Sequence, residues 1–161
     1  HQDVERPPPQ AGSIPMTRLA LQTAVRAGAV TLVNDYRASA GLSLGQVYRA
    51  RPAQIKTPSV FVDSVTESAD SFTTREYQRA VRVGIRVVWG VYDSGSSVDQ
   101  RDAFVDGFYA WVADAPRAFD GNADCVWIGT DDDEDWSPGW IPTDESKYFS
   151  TLVTLEGRAG T

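Results

Sequence analysis

Histidine, cysteine and methionine each occur once in this chain of 161 residues. Each scarcity closes a route. A lone cysteine, Cys125, permits no intrachain disulfide, which fits a reducing compartment. Zinc needs about four nitrogen, sulfur or carboxylate ligands, and His1 with Cys125 does not supply them. Nucleophilic hydrolysis by serine needs a general base, normally histidine, and His1 is the only one. No P-loop is present, and no G-x-G-x-x-G joins a strand to a helix. Long apolar runs are missing too. None reaches the roughly 18 residues of a membrane helix, so no membrane association is expected. The streak "GAVTLV" is too short and lacks the flanks of a secretion signal.

What remains is an ordinary globular composition, 42% hydrophobic and 23% charged, in a length that suits one domain. Residues 1–16, with "RPPPQAGSIP", are expected to form a flexible proline-rich segment ahead of a single domain over 17–161. The formal net charge is −7. Residues 131–145 hold seven acids and no base, so the rest of the chain is balanced and the whole excess lies in one window. No basic stripe grips phosphates, which argues against stable nucleic-acid binding by the monomer.

The hydrophobic spacing predicts a helix over 17–38, with Thr17 as N-cap and Gly41 as stop signal. A short strand is expected around 46–49 and a valine-rich one over 58–65. The polar stretch "TESADSFTTRE" reads as a turn. The strongest signal is "YQRAVRVGIRVVWGVYD", 77–93, where Val81, Val83, Ile85, Val87 and Trp89 alternate with Arg82, Gly84 and Arg86. That is a long strand with one buried face, expected to bulge at Gly84 or Gly90. Ser97 with Gln100 forms a capping-box pattern. The helix after it places Phe104, Val105, Phe108, Trp111 and Val112 on one side. A strand "DCVWIGT", an acidic loop and a strand "SKYFSTLVTLEG" close the chain. The expected fold is α+β: a mostly antiparallel sheet with a long central strand and two main helices packed on one face.

The acidic run Asp131, Asp132, Asp133, Glu134 and Asp135 is the densest cluster of ionisable groups in the chain. Its D-x-D-x-D start resembles a calcium loop, but the glycine and glutamate required at positions 6 and 12 are Trp136 and Pro142. A glycosidase needs two fixed carboxylates, and a flexible run is a poor way to fix them. A small enzyme using an acidic pair, with or without a divalent ion, stays as the alternative of another class. Otherwise the run is a solvated loop in which the carboxylates act as a field. Trp136 and Trp140 flank "SPG" in the same loop, either as partner contacts or as a lid folded on the sheet. Arg82 and Arg86 share the polar face of the long strand, either wet or facing a neighbouring copy. Trp89, Trp111, Trp127 and Cys125 read as core.

The N-terminal helix, "TPSVFVDSV", "RAVRVGIRVVWGVY", "SVDQRDAFVDGFYAWV", "DCVWIGTDDD" and "YFSTLVTLEGRA" follow one another in an order that resembles the tail terminator (tail-completion) proteins of long-tailed bacteriophages. The resemblance spans about residues 17–158 and lies in order and pattern rather than in an invariant motif. It implies a non-enzymatic virion protein of the neck, assembled in the host cytoplasm, with no cofactor and no metal. Such proteins form hexameric rings that cap the tail tube, end its polymerisation and join the tail to the head-side connector. The implied partners are further copies of the chain, the major tail tube protein, the connector or stopper protein, and DNA passing through the lumen without sequence-specific binding. The candidate partner or lumen contacts are Asp131, Asp132, Asp133, Glu134, Asp135, Trp136, Trp140, Arg82 and Arg86. A stopper- or adaptor-type neck component is the nearest alternative.

Overall fold

Valine-rich alternation drives the sheet, and a computed structural model of the chain describes it over residues 18–42, 44–71, 77–90, 95–114, 124–138 and 147–160. The elements run α1 (Arg18–Ala40), β1 (Val47–Tyr48), β2 (Ser59–Ser71), β3 (Tyr77–Gly90), α2 (Gly95–Asp114), β4 (Asp124–Trp136) and β5 (Tyr148–Gly160). The five strands lie in the order β1-β2-β3-β5-β4. β1 pairs with β2 in parallel, and every other pairing is antiparallel. The protein is α+β, with a mostly antiparallel mixed sheet, as the pattern predicts.

The odd positions of β3 set the core. Val81, Val83, Ile85, Val87 and Trp89 are buried against Val25, Ala29, Leu32, Val33 and Tyr36 of α1 and Phe104, Val105, Phe108 and Val112 of α2. Each such side chain, fully buried, contributes about 1.5–3 kcal/mol. Phe149, Val153 and Leu155 of β5 join the same layer. Trp111 and Trp127 pack against its rim, and Cys125 is buried within it. Burial pushes the Cys125 thiol up to about 12, so it stays protonated and inert at neutral pH.

Three glycines are fixed by geometry. Gly90 has φ 145°, a region that favours glycine, and the β3–β5 register shifts between Val88 and Gly90, so one of the two expected bulges is present. Gly84 faces a second irregularity, on β2, between Val62 and Ser64. At Gly107 a Cβ would collide with the Tyr36 hydroxyl. That hydroxyl donates to the Phe104 carbonyl oxygen at 3.1 Å, and its ring stacks on Phe108 at 4.9 Å. Gly107→Ala is therefore expected to cost about 1–3 kcal/mol by overpacking, despite the better helix propensity of alanine. In a Tyr36→Phe background, which removes the obstructing oxygen, most of that cost should vanish. Chemical denaturation of the four proteins of the cycle checks this, and equal costs in both backgrounds would contradict it.

Four expectations need correction or lie elsewhere. Residues 66–71 are strand, not turn, because they pair along β3 from Thr66↔Arg82 to Ser71↔Tyr77, and the ladder overrides their polar composition. Ser97 lies inside α2 with its side chain buried, rather than capping the helix from outside. The acidic run is not a loop: β4 carries it as strand to Trp136. Thr17, residues 1–16, residues 91–94 and Trp140 lie outside the described residues.

Candidate functional site

The acidic run forms a strand because its neighbour supplies the ladder. Asp131, Asp132 and Asp133 pair with Leu152, Thr151 and Ser150 of β5. Aspartate is a poor strand former by itself, and pairing with a well-packed partner outweighs that preference. Alternation then splits the carboxylates between the two sheet faces. Asp132 points to the helical face. There Trp89 Nε1–H donates to Thr151 Oγ1 at 3.0 Å, and Thr151 Oγ1–H donates to Asp132 Oδ1 at 2.7 Å. Arg101 of α2 closes the chain, with Nη2 at 2.8 Å from Asp132 Oδ2. Partial burial works against the Arg101 charge, but Asp132 and Asp102 outweigh it and raise its pKa.

All five acids are exposed, and Asp132 differs from the others in its hydrogen bonds to Thr151 and Arg101. The Asp135 amide donates to Asp133 Oδ1 at 2.9 Å, which shapes the register shift between Asp133 and Trp136. The five acids therefore divide into one structural member and four outward charges. Asp132→Asn is expected to cost about 1–2 kcal/mol, since it weakens hydrogen bonds to a charged partner at a partly exposed site. Asp131→Asn and Asp133→Asn should stay within about 0.5 kcal/mol of wild type. Denaturant midpoints of the three variants check this, and an equal response from all three would contradict the division.

Past the register shift, β4 turns Trp136 onto the face opposite the helices. There it is only 7% exposed and forms a second small core with Phe61 and Val88. Its ring centroid lies 6.0 Å from that of Phe61 and 6.3 Å from that of Tyr148. Arg86 and Arg51 stack over it at 5.2 Å and 5.3 Å. Asp63 holds both arginines, at 3.0 Å from Arg86 and 3.2 Å from Arg51. Arg51 also donates to the Pro138 carbonyl oxygen at 2.8 Å, and Arg86 to Ser150 Oγ at 2.8 Å. Of the two readings for Trp136, the lid folded on the sheet describes its position.

The structure thus brings Arg86 to Trp136 and leaves Arg82 apart. Arg82 pairs with Glu156 at 3.0 Å and is 58% exposed. Neither arginine is an uncommitted charge. Arg51, Asp63, Phe61 and Tyr148 went unnoticed in the sequence. A signal was there: in "SVFVDSV", Phe61 and Asp63 share the parity opposite to Val60 and Val62.

The exposed large apolar side chains lie on β4 or beside it, Tyr109 on the helical face and Val126 on the other. Tyr109 at 52%, Val126 at 51% and Ile128 at 43% are the large hydrophobic residues left exposed among the described residues. Val126 and Ile128 belong to the first half of β4, and Tyr109 stands edge-on to Trp127 beside them at 5.3 Å. Among the described residues only β5 pairs with β4, so the other edge of this strand is open. This strand therefore carries two exposed apolar side chains, Val126 and Ile128, on its first half and the outward acids on its second.

Two features bear on enzymatic chemistry. The string "GLSLG", Gly41 to Gly45, has the spacing G-x-S-x-G. It follows α1 and leads to β1, whereas a nucleophile elbow needs a strand-to-helix turn, and Ser43 lies outside the described residues. A groove of about 520 Å³ opens between the end of α1 and α2, lined by Tyr36, Ala40, Leu42, Ala103, Gly107 and Trp111. Its ionisable group is the Tyr36 phenol, whose pKa burial raises further from neutrality. Among the described residues no three His, Cys, Asp or Glu side chains stand where they could hold a metal ion.

No protein-family model matches the chain, and no curated protein matches it either.

Proposed function

We propose that this protein is a structural component of the neck of a long-tailed phage: a tail terminator that caps the tail tube as a ring of about six copies, ends tube polymerisation and meets the head-side connector. The observation that carries this reading is the open β4 edge, where the exposed apolar side chains and the outward acids lie along one strand. Such a strand is a hazard in an isolated monomer and a ready interface in an assembly. The order of helices and strands agrees with the resemblance in the sequence. On this reading the protein performs no reaction and takes no cofactor, and the outward carboxylates face a basic partner or keep DNA sliding in the lumen.

The test adds the protein to tail-tube subunits during polymerisation. Growth should stop, and electron micrographs should show a ring at one end of each tube. Tubes of unchanged length with bare ends would overturn the reading. A ring that binds connector protein and ignores tubes would move it to the stopper or adaptor position.

A further inference from the structure

The ladder relates the two edges of the sheet residue by residue. Tyr48 on β1 pairs with Phe61, Phe61 with Arg86, Arg86 with Leu152, and Leu152 with Asp131 on β4. The adjoining row runs from Val47 through Val60, Val87 and Thr151 to Asp132. The acidic half of β4 is therefore level with β1, on the opposite edge. Residues 44–62, which contain β1 and its connection to β2, hold Arg49, Arg51 and Lys56 and no acid. Arg49 and Lys56 are exposed, whereas Arg51 is committed to Asp63. One edge is basic where the other is acidic.

The upper rows match in a second way. Trp127, Val126 and Cys125 are level with Val65, Thr66 and Glu67 of β2. β1 covers only Val60 and Phe61, so from Val62 onward the outer edge of β2 has no strand partner among the described residues, although the Val62 carbonyl accepts from Arg26 Nη1 at 3.3 Å. Three successive antiparallel pairings also make β2 and β4 run in opposite directions. A second copy set beside the first in the same orientation would then bring its β4 antiparallel to β2, acid against base and open edge against open edge. A two-fold antiparallel contact of β4 on β4 either sets the acids against one another, when centred on them, or sets them against the apolar half, when centred on Thr130, and neither arrangement gives them a basic partner.

We propose that the open edge of β4 docks head to tail on the β1–β2 edge of a second copy of this chain. Asp131, Asp133 and Glu134 face Arg49 and Lys56 of the neighbour, and Val126 and Ile128 cover the unpaired stretch of β2. Head-to-tail contacts of this kind close into rings when the rotation per copy permits. The proposal rests on the ring reading and names the surface that makes the ring.

Two reversed proteins test it. One carries Asp131→Lys, Asp133→Lys and Glu134→Lys, and the other Arg49→Glu and Lys56→Glu. Asp132 is left alone because it is hydrogen-bonded inside the fold. Light scattering and negative-stain imaging follow assembly alone and on tail tubes. Each reversed protein by itself should lose rings, and an equal mixture should regain them, because every contact then joins opposite charges. Wild-type rings that survive both reversals would overturn the edge assignment and leave the ring reading standing. A wild type that never forms rings, free or on tubes, would overturn both. Should a reversal unfold the chain, the milder set Asp131→Asn, Asp133→Asn and Glu134→Gln should dissociate at lower salt than wild type. An unchanged salt midpoint there would equally overturn the assignment.

Discussion

Trp136→Ala is expected to destabilise the monomer by about 3–5 kcal/mol, the range for truncating a buried aromatic. The indole is 7% exposed and lies between Phe61, Tyr148 and two arginine planes. Its removal leaves a cavity, strips Arg86 of its aromatic partner and leaves Arg51 with Phe61 alone, at 6.0 Å. The sequence alone placed this residue in a loop, either as a partner contact or as a lid folded on the sheet. The structure seats it at the end of β4 in the second core. Denaturant unfolding of the isolated protein decides the matter: Trp136→Phe should recover part of the loss, and an unchanged midpoint in Trp136→Ala would contradict the packing described here.

The second large effect is expected at Asp63. Its carboxylate is the shared partner of Arg86 and Arg51, whose side chains are 12% and 33% exposed. Asp63→Ala leaves the more buried guanidinium with Ser150 and the Trp136 ring but no anion, and should cost about 2–4 kcal/mol. Glu156→Gln provides the contrast. That pair also has a carboxylate at 3.0 Å, but the arginine left without its anion is 58% exposed, so the change should cost less than about 1 kcal/mol. Thermal and denaturant unfolding of both variants measure the difference. Similar losses at the two sites would show that burial does not set the strength of these pairs. Because Asp63 sits at the β2 irregularity between Val62 and Ser64, the result would also show what that bulge does: it turns an acid toward the arginines of the open face.

Much of the fold was legible because its determinants are local and periodic. The alternation in β3, the apolar stripe of α2 and the glycine at the β3 bulge each follow from a few neighbouring residues. What was illegible depends on distant partners. Aspartates 131–133 form strand because β5 supplies the ladder, and nothing inside "DDDED" announces it. Thr66 to Ser71 are strand because β3 runs beside them. Ser97 matched a cap motif but is part of the helix, since the helix extends upstream through residues that the motif does not include. The second core on the open face was hidden for a different reason. It is assembled from single residues of three strands, Phe61, Val88 and Trp136, with Arg51 from the connection after β1. Each by itself resembles surface. The candidate site was legible in its charge, all of which lies in one window, and illegible in its apolar half, because Val126 and Ile128 look like any strand residues until the edge is seen to be open.

The central claim is that this chain works as a ring built from its own sheet edges, and the most direct measurement is the mass of the wild-type protein, by light scattering with negative-stain imaging, free in solution and on preformed tail tubes. The account predicts rings of about six copies, seated at tube ends and loosened by salt as their charged edges are screened. A protein that stays monomeric at every concentration and leaves tube ends bare would contradict it.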